Sequence, residues 1–166
     1  MTLPPVISVV GKSGSGKTVF LEKLIAVLKS RGFKIGVIKH DPHGCEIDTP
    51  GKDSWRHARA GSATVVLSSP ERLALIKRLD EEMTLDGVVS TYLQDMDLVI
   101  TEGYKKGRKK KIEVSRRERS QDLVSPAQDL IAIVTDQSFD LPVPHFGLDD
   151  AEAVADLLEE EVLRRD

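Results

Sequence analysis

Gly11-Lys12-Ser13-Gly14-Ser15-Gly16-Lys17-Thr18 matches the phosphate-cradling template G-x-x-x-x-G-K-[ST] at every fixed position. Its flanks supply the context the template needs. Val6-Ile7-Ser8-Val9-Val10 before it is short and β-branched, as a buried strand is. After it, Phe20, Leu21, Leu24, Ile25 and Leu28 mark one face of a helix. The glycines let the backbone curl until successive N–H groups converge on phosphate oxygens. A helix opening at Lys17 adds the positive end of its dipole. In this template Lys17 reaches the β- and γ-phosphates and the Thr18 hydroxyl ligates Mg²⁺. Residues Gly11 to Thr18, with Val19 following on the helix, are therefore read as a nucleoside-triphosphate site.

The rest of the composition narrows the class. A chain of 166 residues is expected to form one domain with a substantial core and no need of disulfides. Its 40% apolar and 31% charged residues suit a soluble globular protein. A net charge of −3 gives no global attraction to nucleic acid or membrane, so any basic site must be local. The lone Cys45 excludes an intrachain disulfide and fits a reducing compartment. The N-terminus lacks a signal peptide's layout and no apolar run approaches spanning length, so a cytoplasmic protein is expected.

Beyond the first helix the pattern is strand-rich. Residues 34–39 alternate as a second strand running into Lys39-His40-Asp41. In a parallel sheet, binding groups gather past the strands' C-terminal ends, which puts His40, Asp41 and His43 on the edge of the phosphate loop. Residues 41–61 are too turn-rich and long for a plain connector, and a helix capped by Ser54 is expected within them. Residues 63–67 and 72–77 read as a hairpin beside a parallel core. A helix is expected over 80–94, then strands at 97–102, 112–115, 130–136 and 143–146, and a final packing helix opening at Asp149-Asp150. The fold class is thus α/β: a P-loop NTPase-like, mostly parallel sheet flanked by helices. It forms one nucleotide-binding domain over residues 1–166, with the hairpin inserted at about 63–77.

Several side chains carry candidate chemistry. Glu102 ends an apolar strand, the position from which a carboxylate holds Mg²⁺ or its water shell; a solvated strand-end acid is the alternative. Asp41 is a second acid for the metal or for orienting attacking water, or else an ordinary turn residue before Pro42. Asp48 would sense a γ-phosphate from its loop. Asp136 would accept from guanine N1–H and the 2-amino group, or simply close a strand. Lys105 to Lys111 would draw in a second anionic ligand or an acidic partner face, unless it is a solvated basic loop. Its lack of interleaved aromatics argues against nucleic acid. His40, His43 and Cys45 form an incomplete set for a transition metal. Arg56 and Arg59 are both candidates for a charge-stabilising arginine, and nothing separates them. The four-residue guanine signature Asn-Lys-x-Asp is absent, so guanine and adenine are not distinguished.

Taken together, these motifs resemble the molybdopterin-guanine dinucleotide biosynthesis adaptor family (MobB). The likeness rests on Gly14-Ser15-Gly16-Lys17-Thr18, Val37-Ile38-Lys39-His40-Asp41, Asp48-Thr49-Pro50-Gly51-Lys52-Asp53-Ser54, Thr101-Glu102-Gly103-Tyr104-Lys105 and Lys111-Ile112-Glu113-Val114. The resemblance implies a homodimer, joined through the hairpin region, that binds GTP with Mg²⁺ and hydrolyses it weakly. It also implies assistance to a separate guanylyltransferase that attaches GMP to the pterin, with molybdopterin as a further bound ligand. Lys12 departs from the family pattern; related dimeric proteins send such a lysine to the other subunit's nucleotide, and an exposed surface lysine is the alternative. Two other classes stay open: a stand-alone P-loop transferase or ligase on a small anionic substrate, and a GTPase that delivers a metal.

Overall fold

The computed structural model describes residues 3–44 and 47–163, which form two compact units. The first combines residues 1–40 with 88–166, and the second is the segment 41–87 between them. In the first unit lie β1 (Val6–Val10), α1 (Lys17–Ser30), β2 (Ile35–Lys39), β5 (Leu98–Glu102), β6 (Lys111–Ser115), β7 (Leu130–Thr135), β8 (His145–Phe146) and α4 (Ala151–Leu158). The second holds α2 (Asp53–Arg59), β3 (Thr64–Ser68) and β4 (Leu73–Lys77), and α3 (Leu85–Tyr92) carries the chain back to the first.

The six strands of the first unit lie in the order β2-β5-β1-β6-β7-β8, and every pairing among them is parallel. The period of two expected of strands decides what each face buries. Ile7 and Val9 of β1, Leu98 and Ile100 of β5, Ile112 and Val114 of β6 and Ala132 and Val134 of β7 share one core with α1 and α4. Phe20, Leu21, Leu24 and Leu28 give α1 its buried stripe, as their helical spacing requires. The alternate residues of β1 and β5 are more polar, and there Thr101 Oγ1 donates to Ser8 Oγ at 2.8 Å.

Ion pairs tie α1 to α4. Arg31, just past the end of α1, reaches Glu152, Asp156 and Glu159 at 2.6 to 2.7 Å. Its planar fork of donors is suited to several carboxylates at once. Hydrogen bonds to Glu159, then Glu152 and Asp156, hold its guanidinium pKa above the ordinary value. Midway along α1, Lys23 pairs with Asp149, just before α4, at 2.5 Å.

Two elements are shorter than the sequence pattern suggests, each for a local reason. The helix expected over 80–94 spans only Leu85–Tyr92, because Thr84 Oγ1 accepts the Gly87 N–H at 3.1 Å and caps it. The strand expected over 143–146 is reduced to His145–Phe146, since Pro144 has no N–H to give a ladder. In the second unit β3 and β4 pair antiparallel as their own two-stranded sheet, with Val65 opposite Ile76. Val66, Leu67, Leu73 and Leu75 are left exposed on it.

Candidate functional site

The loop between β1 and α1 is held in a curl by three glycines with positive φ. Gly11 lies at 148°, Gly14 at 74° and Gly16 at 92°. At Gly11 no other residue fits: a Cβ there would stand 2.3 Å from the Val114 carbonyl oxygen. Gly16 precedes α1 without any side-chain cap, and the first turn of the helix carries no acid. Its leading N–H groups, which no helix can satisfy internally, thus stay available to an anion.

Lys17 folds back over this curl. Its Nζ donates to the Gly11 carbonyl at 3.1 Å and the Lys12 carbonyl at 2.8 Å. Burial pushes its pKa below the ordinary lysine value; Glu102 and Glu113 oppose the shift, while Lys105 and Lys39 add to it. A partly desolvated ammonium among other cations gains from a nearby anion. Lys12 itself is exposed at the rim.

Glu102 stands beside the loop because β5 is the parallel neighbour of β1, with Val9 opposite Glu102. Thr18 Oγ1 donates to Glu102 Oε1 at 3.1 Å. Immediately after this acid the chain turns through Gly103 at φ 109° and Tyr104 at φ 51°, the one described non-glycine residue with positive φ. The Tyr104 ring tilts against His40 with centroids 4.5 Å apart.

The family model for molybdopterin guanine dinucleotide synthesis protein B, MobB, matches residues 6–136. The chain belongs to the MobB family. It is 34% identical over 165 residues to the molybdopterin-guanine dinucleotide biosynthesis adapter protein of Escherichia coli K12, covering 96% of this chain and 94% of that one. Identity is likewise 34% over 156 residues to the adapter protein of the same description from Haemophilus influenzae, covering 93% and 88%. A crystal structure of molybdopterin-guanine biosynthesis protein B superposes with a TM-score of 0.78 at 32% identity, covering 96% and 99%.

The remaining candidates distribute unevenly on this MobB-family fold. Asp136 follows β7, and its Oδ1 accepts the Arg117 N–H at 2.8 Å. Lys105 is exposed after β5 and acts electrostatically on Lys17. Lys111 is a correction. Its side chain is 0% exposed, and its Nζ donates to Gly107 O, Lys109 O and Asp129 Oδ2 at 2.7, 3.3 and 2.8 Å. The buried ammonium is spent on the carbonyls of the basic loop and on Asp129, so it braces that loop against the start of β7 rather than standing open to an outside anion.

Asp41 and Asp48 belong to the second unit. The Oδ1 of Asp41 accepts the His43 N–H at 3.0 Å, a turn-stabilising bond, and that of Asp48 accepts its neighbour Thr49's N–H at 2.8 Å. Arg56 and Arg59 sit on α2 of the same unit, Arg59 lying 5.3 Å over the Trp55 ring. Cys45 falls outside the described residues. Among the described residues no group of three or more His, Cys, Asp or Glu side chains gathers at metal-binding spacing.

Sequence reasoning missed the stretch after β6. Arg116 and Arg119 come against the phosphate loop: a Cβ on Gly16 would meet Arg116 Nη2 at 3.3 Å and one on Gly14 would meet Arg119 Nε at 3.1 Å. The available signal was topological, since charged residues after a strand adjacent to β1 arrive at the same edge.

Proposed function

We propose that this chain binds GTP with Mg²⁺ on the loop from Gly11 to Thr18, hydrolyses it slowly, and serves as a homodimeric adapter to a guanylyltransferase in molybdopterin guanine dinucleotide biosynthesis. The observation that carries the nucleotide reading is the 3.1 Å contact between Thr18 Oγ1 and Glu102 Oε1. It brings the loop's hydroxyl and the strand-end carboxylate together from residues 84 apart. Both are hard oxygen donors. Their separation is that of adjacent ligands in an octahedral shell with bonds of about 2.1 Å, so the residues present fit Mg²⁺.

In this reading the leading amides of α1 and the Lys17 ammonium hold the β- and γ-phosphates, and Thr18 and Glu102 hold the metal. The bound metal supplies neutralisation of phosphate charge. Asp136 accepts from the guanine edge with the oxygen that Arg117 leaves free. Turnover is slow, because the protein contributes positioning and charge rather than a covalent nucleophile. A slow hydrolase suits an adapter, whose nucleotide state outlasts an encounter with its partner. Membership of the MobB family and the adapter role by which its relatives are named support the adapter assignment.

The test combines binding with partner capture. Lys17→Ala is expected to lose GTP affinity by at least about a hundredfold, the scale of a paired charge lost from a phosphate site, with the fold intact. Wild-type protein is expected to prefer GTP over ATP and to capture a guanylyltransferase from solution. Unchanged GTP affinity in Lys17→Ala removes the site. Rapid turnover of a small anionic substrate by the isolated chain replaces the adapter with an enzyme.

A further inference from the structure

Granted the nucleotide reading of the loop, on which this rests, we propose that Arg116 and Arg119 bind the phosphate chain from the wall opposite Glu102. The sheet order sets the two walls. β5, ending in Glu102, flanks β1 on one side, and β6, leading into Arg116, flanks it on the other. The chain leaves β1 toward the β2 edge and leaves β6 toward the β7 edge. Between two such strands an open parallel sheet has its ligand crevice, at their C-terminal ends. The loop from Gly11 forms one lip of that crevice and the segment after Ser115 forms the other.

This second lip is a built structure. Glu113, 1% exposed, accepts the Val124 and Ser125 N–H groups at 2.6 and 3.0 Å. Gln137 Nε2 donates to Ser115 Oγ at 2.9 Å and to Ser120 O at 2.8 Å. The Arg119 and Ser120 N–H groups close a turn on the Arg116 carbonyl at 2.8 and 3.1 Å. With both ends pinned, the two guanidinium groups are aimed at Gly16 and Gly14 by the fold.

The polar atoms facing this lip are short of partners. Arg116 Nε is sealed from solvent and has no hydrogen-bond partner, and Ser15 Oγ across from it is in the same condition. A guanidinium N–H left so is costly, and the groups free to give a phosphate oxygen charge-assisted bonds are the outer nitrogens of Arg116 and the exposed guanidinium of Arg119. Asp149 also faces Arg116, but its carboxylate is already paired with Lys23. Gly14 and Gly16 contribute by leaving no side chain between guanidinium and loop backbone.

Calorimetric titration of GTP and of inorganic tripolyphosphate into the full chain tests this. Arg116→Ala and Arg119→Ala are each expected to weaken both ligands alike, by about tenfold, as loss of a charge-assisted hydrogen bond does. Arg117→Ala removes the same charge one residue away and is expected to leave tripolyphosphate affinity unchanged. Arg119 is exposed, so its variant reports even where Arg116→Ala fails to fold, and Arg116→Gln keeps the packing stem. Wild-type affinity in both arginine variants, with binding lost in Lys17→Ala, overturns the arginine role and leaves the nucleotide site standing. Weakened GTP with unchanged tripolyphosphate also overturns it, since the contact would then be to the nucleoside. Absence of binding to the wild-type chain removes both readings.

Discussion

At the scale of single residues, two lysines of similar sequence appearance have opposite fates. Lys17 is partly desolvated, with its pKa pushed down by burial, and a polyphosphate would favour its charged form. The sign follows from linkage: binding raises the lysine's pKa, so affinity is level while the free protein's Lys17 is protonated. Above that pKa affinity falls by up to about tenfold per pH unit, until the pKa of the complex is reached. GTP dissociation constants measured from pH 7 upward are therefore expected to rise before the ordinary lysine value is approached. Lys111, by contrast, is wholly buried and holds two carbonyls and Asp129. Lys111→Met is expected to cost about 3 kcal/mol in urea unfolding, the low end for breaking a buried pair because Asp129 keeps some solvent. GTP affinity of the folded variant should be unaltered.

At the scale of elements, α1 joins the core to the chemistry. Its N-terminus, uncapped and free of acids, faces the site, while Phe20, Leu21, Leu24 and Leu28 fix its axis against the sheet. Leu24→Ala leaves a cavity in that contact and is expected to cost about 2–5 kcal/mol by chemical denaturation. The helix pattern at 20, 21, 24, 25 and 28 made this element readable from sequence, as did the alternation of β1. The boundaries of α3 and β8 were less so, because a Thr84 cap and the loss of one donor at Pro144 act through single hydrogen bonds that leave the hydrophobic period unchanged. The segment 116–125 has no hydrophobic period of its own, and its order comes from Glu113, in the middle of β6, and Gln137, just past β7.

For the whole molecule, the second unit raises the question of assembly. Its hairpin exposes Val66, Leu67, Leu73 and Leu75, with Leu73 at 69%; clustered apolar side chains left in water are the kind of surface that a partner covers. If this surface joins two copies, Leu73→Glu is expected to shift sedimentation from dimer to monomer while GTP binding persists. Some of the protein was written in local pattern alone: the phosphate loop, its flanking strand and helix, the parallel α/β class and the acid at Glu102, because each rests on spacing within one element or one turn. Tertiary structure decided the rest, namely that Thr18 meets Glu102, that Lys111 turns inward, and that Arg116 and Arg119 reach the loop. Those outcomes depend on which strand lies beside β1, and lateral strand order is set by packing between segments distant in the chain, which no local period records.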